Sequence, residues 1–324
     1  MLNAFSVAPM MDWTDRHCRY FHRLLTPHAL LYTEMVTTGA LLHGDTERFL
    51  RFDEFEYPLA LQLGGSNPKD MAHCARLAQL AGFKEININV GCPSDRVQSG
   101  RFGACLMSEP ELVANCVTEM LSEVDIPVTI KTRIGIDDQE SAEFLLDFIS
   151  RVAKAGCKTF IIHARKAILS GLSPKENRTI PPLNYDRAYL VKQEFPELSV
   201  IINGGVKTVA AIQQHWDQLD GVMIGREAYH NPYFLAEVEQ QLFAEPIKTR
   251  TQLLQQYIPY VEEQLNLGEP LQRISRHILG LFAGQPSGKY WRRYLSENAR
   301  LKNSGPEVLL AALAAMQSHQ TNVN

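Results

Sequence analysis

A cysteine stands where a predicted β-strand gives way to a loop. Residues 85–89 alternate polar and apolar side chains, and Gly91-Cys92-Pro93 follows shortly after them. The pattern places the Cys92 thiol at the carboxyl end of a strand, the edge where α/β proteins carry their active sites. A thiol with its ordinary pKa of about 8.5 keeps its proton at neutral pH, so Cys92 is a candidate proton donor. The alternative is a buried structural cysteine, because cysteine is among the most buried residue types.

Other residues suited to chemistry also follow predicted strands. Strands are predicted at 5–8, 30–33, 59–63, 85–89, 128–131, 160–163, 200–203 and 222–225. The candidate binding residues at or just after their carboxyl ends are Pro9, Met10, Met11, Gln62, Asn89, Lys131, His163, Asn203, Gly204, Gly205, Gly225 and Arg226. In a barrel of parallel strands these ends meet at one face, so we expect a single site there.

The last two strand ends indicate a phosphorylated cofactor. Asn203-Gly-Gly and Gly225-Arg226 follow strands seven and eight, where barrels commonly bind phosphate through glycine N–H groups and a nearby cation. The chain has no Gly-x-Gly-x-x-Gly or Walker sequence after a strand, which argues against a stably held dinucleotide or nucleoside triphosphate. Lys131 suits the anionic pyrimidine ring of a reduced flavin.

The elements that must position these residues have the rhythm of a (β/α)8 barrel. Helices are predicted at 68–82, at 110–124 with Ser108 as N-cap, at 141–156 and at 208–219. Eight strand–helix units in the first two-thirds of 324 residues predict an α/β TIM barrel. After Tyr233 the patterns are helical, so we predict a catalytic barrel over 1–235 and a separate all-helical domain over 236–324.

The charge of the chain is unevenly distributed. The net charge is −4, yet residues 270–303 carry seven basic side chains against Glu297 alone, a local charge of +6. Aromatic residues lie among these cations, as expected of a surface that binds a nucleic-acid backbone. The alternative is an ordinary solvated helix face.

Composition excludes several classes of protein. No run approaches eighteen apolar residues, so no transmembrane helix is predicted, and the N-terminus lacks the pattern of a signal peptide. The six cysteines include no Cys-x-x-Cys pair and no zinc-type spacing. We therefore expect free thiols in a cytoplasmic protein without a structural metal.

Together these motifs resemble the tRNA-dihydrouridine synthases over essentially the whole chain. The matching segments are Ala8-Pro-Met, Leu61-Gln-Leu-Gly, Asn87-Ile-Asn-Val-Gly-Cys-Pro, Lys131-Thr-Arg, His163-Ala-Arg and Asn203-Gly-Gly. Asp12-Trp-Thr-Asp-Arg-His-Cys-Arg and Ser170-Gly-Leu-Ser-Pro-Lys-Glu-Asn-Arg are similar to the branch associated with position 20 of the D-loop and its neighbour.

The resemblance implies bound FMN, NADPH as a transient reductant, and a tRNA uridine whose 5,6-double bond is reduced. FMN would contact the strand-end residues given above, with the exception of Asn89, and would deliver hydride from N5 to uracil C6. Cys92 would give the proton to C5. Asn89 could hold the uracil, while Lys175, Arg178, Arg292 and Arg293 would hold the tRNA. No membrane or obligate protein partner is implied.

Three rival interpretations remain open from the residues. An FMN barrel acting on a free pyrimidine would share the flavin motifs but would not need the basic segment. A Schiff-base lyase would use Lys131 as nucleophile, with a lowered pKa. A non-catalytic RNA-binding protein would leave the polar strand ends without a role.

Overall fold

The computed structural model describes residues 4–321, apart from the side chains of residues 96, 320 and 321. The described chain divides into two compact units, one of residues 4–11 and 29–225 and one of residues 12–28 and 226–321. The division at 225/226 precedes the predicted boundary at 235/236 by ten residues. Residues 12–28 belong to the second unit, a feature that the pattern along the chain did not indicate.

The first unit is built on eight parallel strands. They are β1 (Ala4–Val7), β2 (Leu31–Thr37), β3 (Leu59–Gly64), β4 (Glu85–Val90), β5 (Val128–Arg133), β6 (Thr159–His163), β7 (Ser199–Asn203) and β8 (Gly221–Ile224). Their order in the sheet is β1-β8-β7-β6-β5-β4-β3-β2, with every pair parallel. All eight predicted strands are confirmed.

Hydrogen bonds also connect the two ends of this strand order. Leu30, just before β2, donates its N–H to Phe5 O at 3.0 Å and accepts from Val7 N at 3.0 Å. The sheet is therefore curled, and buried side chains from strands all around it pack together inside: Ala8, Tyr32, Ala60, Ile161, Ile201 and Met223. Polar side chains that share this face with them lie on the interior as well.

Helices connect the strands of the first unit. They are α2 (Thr38–His43), α3 (Thr46–Leu50), α4 (Pro68–Leu80), α5 (Asp95–Ser99), α6 (Pro110–Glu123), α7 (Ala142–Lys154), α8 (Asp186–Glu194) and α9 (Val209–Trp216), with 3-10 turns at Glu54–Glu56, Gly103–Ser108 and Glu176–Arg178. Ser141 caps α7 and Thr208 caps α9 through their side-chain oxygens. Together with the turns, these helices carry the chain from the end of each strand after β1 to the start of the next strand.

The predicted N-cap of the helix beginning at Pro110 is wrong. The Ser108 hydroxyl donates to Cys105 O at 2.8 Å, within the 3-10 turn that precedes the helix. Helix α6 follows Glu109, which makes no side-chain cap. The hydroxyl is used locally because the 3-10 turn, unforeseen in the sequence, extends as far as Ser108.

The second unit is helical. Its helices are α1 (Arg16–Leu25), α10 (Arg226–His230), α11 (Tyr233–Leu242), α12 (Arg250–Asn266), α13 (Leu271–Ser275), α14 (Gly288–Asn298) and α15 (Glu307–Thr321), with a 3-10 turn at Arg276–Ile278. Trp291 is fully buried there and donates its indole N–H to Ile278 O at 3.1 Å. Across residues 4–321, no helix combines the length and apolar character needed to cross a membrane.

Asp15 connects α1 to the C-terminal helices of this unit. Its carboxylate accepts from His17 N and Cys18 N, which caps α1, and also from Arg276 Nη2 at 2.9 Å. His277 lies 3.0 Å from the same carboxylate. Burial alone would raise the pKa of Asp15, but the hydrogen bond and charge of His277, together with the Cys18 N–H and His17, hold it well below its usual range. Arg276, counted in the basic segment, therefore forms an internal ion pair in this structure.

Candidate active site

Cys92 lies just beyond β4, and its backbone is held from both sides. Its N–H donates to Asn89 Oδ1 at 2.9 Å, and its carbonyl accepts from Ala104 N at 2.9 Å. Gly103 has φ +78°, and a Cβ there would lie 2.6 Å from Cys92 O, so the loop needs glycine at this position. The thiol is partly exposed, with Sγ 3.6 Å from Ser94 Oγ. These contacts hold the backbone of Cys92 in place at the end of β4.

Two basic side chains, Lys131 and Arg133, lie close enough to interact with the thiol. Burial and the neighbouring Arg133 lower the pKa of Lys131 to about 7, and the Cys92 thiol acts in the opposite direction. Burial lowers the pKa of Arg133 to about 10, and Arg178 and Arg165 add to the effect. Because these groups influence one another, the carboxyl ends of β4–β6 form a positively charged site suited to an anion or to negative charge that develops in a reaction.

Arg133 connects two loops of this site. Its Nε donates to Gly91 O at 2.9 Å, and its Nη1 donates to Lys166 O at 3.1 Å and to Asn177 O at 2.9 Å. Asn177 is itself buried and accepts from Ile168 N at 2.7 Å. The sequence did not indicate that Arg133 would bind these carbonyls or that Asn177 would hold the loop. Arg133 nevertheless belongs to the Lys131-Thr-Arg segment that marked the end of the strand.

Gln62 and Asn89 are brought together by neighbouring strands. Asn89 Nδ2 donates to Gln62 Oε1 at 2.8 Å. Gln62 is almost completely buried, whereas Asn89 keeps partial access to solvent. Asn89 thus connects Gln62 to the backbone of Cys92, as expected if the predicted binding residues of β3 and β4 act at one place.

The residues after β6 and β7 are also in contact. Asn203 donates its side-chain N–H to Met223 O at 2.8 Å, and Tyr185 OH donates to Gly204 O at 2.8 Å. Gly204 has φ +114°, and a Cβ there would lie 2.7 Å from His163 Cδ2. Glycine is therefore required at 204 both by its backbone conformation and by the close approach of His163.

Four predicted binding residues lie next to the division of the chain. Pro9 and Met10 are partly exposed after β1, Met11 is exposed, and Gly225 ends the first unit. A Cβ at Gly225 would meet nothing closer than Asn203 Nδ2 at 3.9 Å, so its backbone is open to a ligand. Arg226 begins α10 in the second unit.

The predicted tRNA-binding residues are exposed or partly exposed. Lys175 and Arg178 lie in the loop between β6 and α8 of the first unit, and Lys175 is exposed. Arg292 and Arg293 are both exposed on α14 of the second unit. Arg293 forms an ion pair with Glu297 at 2.8 Å one helical turn away. Of these two arginines, Arg293 is the one whose charge is paired with a carboxylate on the same helix.

Comparison with known proteins identifies relatives over almost the full length. The family model described as "Dihydrouridine synthase (Dus)" matches residues 6–318. The chain is 61% identical over 321 residues to a Vibrio cholerae protein named tRNA-dihydrouridine(20/20a) synthase, with 98% of each chain covered. It is 55% identical over 318 residues to a Synechocystis protein of the same name, covering 98% of this chain and 95% of the relative.

A solved structure of low sequence identity is similar to this chain in fold. The old yellow enzyme homologue from Zymomonas mobilis superposes with a TM-score of 0.54 at 10% identity, covering 76% of this chain and 90% of that one. At such low identity the likeness concerns the fold alone. The match to the family model and the high identity to the relatives are decisive, and the chain belongs to the dihydrouridine synthase family.

Proposed function

We propose that this protein reduces the 5,6-double bond of uridine in the tRNA D-loop, at position 20 and its neighbour, to dihydrouridine. The observation that carries the proposal is the placement of Cys92 beside Lys131 and Arg133 in a chain that matches the family from residue 6 to residue 318. The relatives named tRNA-dihydrouridine(20/20a) synthase support the substrate. We further propose that the curled sheet is a closed (β/α)8 barrel, followed by a helical domain that binds tRNA.

The residues present fit a bound FMN. Backbone amides at Gly204, Gly205 and Gly225 and the charge of Arg226 suit its phosphate. Lys131 would face the pyrimidine part of the flavin, with Pro9, Met10, Met11, Gln62, His163 and Asn203 as the remaining contacts. Bound FMN, once reduced by NADPH, supplies the hydride for uracil C6.

Side chains of the protein would then donate the proton and orient the base. Cys92 would donate its proton to C5 as the general acid. The cations at the ends of β5 and β6 stabilise the enolate-like charge that develops before that proton arrives. Asn89 orients the uracil edge within hydrogen-bonding reach of its amide.

Basic residues of each unit would bind the tRNA. Lys175 and Arg178 would contact phosphates near the target loop, and Arg292 and Arg293 would contact the backbone elsewhere. The target base must leave its stack, at a cost of a few kcal/mol that is smallest for a loop base. We propose a cytoplasmic location on the basis of this tRNA substrate.

An anaerobic half-reaction tests the proposal. The purified flavoprotein is reduced with NADPH and mixed separately with unmodified tRNA and with free uridine, while flavin absorbance is followed. Rapid reoxidation by tRNA alone, with dihydrouridine found at position 20 or 20a, is the expected result. Reoxidation by the free pyrimidine, or a protein without a flavin spectrum, would contradict the proposal.

A further inference from the structure

A continuous series of side-chain hydrogen bonds crosses the interior of the curled sheet. It starts at Glu85, the first residue of β4. Tyr32 OH donates to Glu85 Oε1 at 2.6 Å, and Thr129 Oγ1 donates to the same oxygen at 2.7 Å. Tyr32 and Glu85 are both in register with Ala60 on the strand between them. The small side chain of Ala60 lets the phenol reach across β3 to Glu85.

The series continues along one row of the sheet. Asn87 Nδ2 donates to Thr129 Oγ1 at 2.9 Å, and Gln62 Nε2 donates to Asn87 Oδ1 at 2.8 Å. Gln62, Asn87 and Thr129 are register partners on β3, β4 and β5. Their side chains therefore meet because the strands place them side by side on the inner face.

The series ends at the backbone of the cysteine loop. Asn89 Nδ2 donates to Gln62 Oε1 at 2.8 Å, and Asn89 Oδ1 accepts from Gly91 N at 3.1 Å and from Cys92 N at 2.9 Å. Each connection from Glu85 to Cys92 is a direct hydrogen bond of ordinary length.

The two ends give the series a direction. The backbone N–H groups of Gly91 and Cys92 can only donate, so the carbonyl of Asn89 must face them and its NH2 must face Gln62. The carboxyl oxygen of Glu85 accepts at the other end. Burial raises the pKa of Glu85, but both hydroxyls donate to Oε1, so a proton on Oε2 would leave the direction unchanged. The amides between the ends are consequently held in one orientation.

Burial makes this order costly to break. Gln62 and Thr129 are 1% exposed and Asn87 is 0% exposed. A buried polar group that loses its partner has no water to replace it, so each break carries a desolvation penalty. A flip of the Gln62 amide would place two acceptors against each other at Asn87 and two donors against each other at Asn89.

We propose that Glu85, Thr129 and Asn87 are positioning residues for the reaction, which act through Gln62 and Asn89 on the loop that carries Cys92. This inference deepens the proposed function and depends on it for the role of Cys92. None of the three needs to touch the substrate or cofactor.

The direction also decides what Asn89 can offer to a bound base. Its carbonyl oxygen already accepts two backbone N–H groups, and one N–H donates to Gln62. One amide N–H remains for a ligand. Asn89 can therefore donate to a carbonyl oxygen of a pyrimidine and has no free acceptor for an exocyclic amino group.

The test compares two nearly isosteric changes at one position. Thr129→Val removes the hydroxyl and keeps the volume, whereas Thr129→Ser keeps the hydroxyl and removes a methyl group. Thr129→Val removes two hydrogen bonds of the series, the one from Asn87 and the one to Glu85. If the series positions the loop, the valine variant should exchange the amide hydrogens of Gly91 and Cys92 about tenfold faster than the serine variant. Its kcat should fall about tenfold, with KM for tRNA and flavin content unchanged.

Thr132→Val provides a matched control on the same strand. Thr132 is also buried, but its hydroxyl lies 3.4 Å from Val90 O and Arg133 O and takes no part in the series. Equal exchange and equal kcat in the valine variants of Thr129 and Thr132 would overturn the proposal. A serine variant worse than the valine variant would do so too, since packing would then matter more than the hydroxyl.

Two further measurements keep the test decisive. If Thr129→Val fails to fold, Thr129→Ala against Thr129→Ser asks the same question with no added bulk. Glu85→Gln retains Oε1 as the acceptor and should keep both readouts near those of the parent, and a tenfold loss there would contradict the assigned role. Amide exchange is measured without tRNA, so it tests the series even if the parent protein fails to reduce tRNA, a result that would count against the proposed function alone.

Discussion

Lys131 should lower the stability of the protein when no flavin is bound. It is aligned with Asn89 on one side and Ile161 on the other, on the inner face of the sheet. Burial and Arg133 lower the pKa of its ammonium from 10.5 to about 7. Lys131→Met, which keeps a similar length and removes the charge, should therefore raise the free energy of unfolding in the absence of flavin.

The expected gain depends on pH in a defined way. Below pH 7 the ammonium is protonated in both the folded and unfolded states. The free-energy cost of burying this charge in the folded state is then at its maximum. Between pH 7 and 10.5 only the unfolded state retains the proton, so the penalty declines as pH rises. At about 1.4 kcal/mol per pKa unit the upper limit is roughly 4 to 5 kcal/mol. Because the side chain is partly exposed, we expect roughly half, about 2 kcal/mol at pH 7 and about 1 kcal/mol near pH 9.

Urea unfolding of the flavin-free protein between pH 6 and 9 measures this difference. Lys84→Met serves as the control, since Lys84 is an exposed lysine just before β4 and should show no such gain. The same Lys131→Met protein, loaded with flavin, should be reduced slowly by NADPH. A variant less stable than the parent, or a gain identical at pH 6 and pH 9, would refute the reasoning.

Three shorter predictions concern the proton donor, the RNA surface and the glycine turn. Cys92→Ala should retain flavin and tRNA binding but lose about 10²- to 10⁴-fold in turnover of tRNA by the reduced enzyme; unchanged turnover would remove the thiol from that role. Arg292→Ala with Arg293→Ala should lower the slope of log K against log salt for tRNA by about one to two, measured by filter binding, and an unaltered slope would place the RNA elsewhere. Gly204→Ala should cost about 1 to 3 kcal/mol in unfolding free energy and weaken flavin retention, whereas Gly171→Ala, which has a positive φ but open space, should leave the flavin in place.

The sequence predicts the strands well because each buried strand is short and rich in branched side chains. The exception in length is β2, predicted to end at Thr33 but continuing to Thr37. Its pairing with β3 shifts between Tyr32 and Met35, so the simple alternation is interrupted where the strand continues. An irregularity of this kind depends on the neighbouring strand and leaves little trace in a single sequence.

The membership of the second unit could not be predicted from local pattern. Residues 12–28 belong with the C-terminal helices because Asp15 pairs with Arg276 and His277, more than 250 positions away along the chain. The sequence of a helix does not indicate which distant residue its polar N-cap side chain will contact. Arg276 was counted in the basic segment because a cation is assigned to solvent by default, and its ion pair with Asp15 could not be predicted from the sequence.

The interior of the first unit shows why a candidate site could be predicted while its support could not. Strand ends are recognisable because polar residues follow apolar runs, and Gln62, Asn89 and Lys131 were found in that way. Glu85, Asn87 and Thr129 lie within strands, where polar residues normally indicate a solvent-facing side. Here those positions face inward, on the same face of the sheet as the buried Ile161 and Ile201 of β6 and β7. Inside the sheet, apolar side chains such as Ile161, Ile201 and Met223 pack together, whereas the polar side chains along β3–β5 form the hydrogen bonds that lead to Cys92.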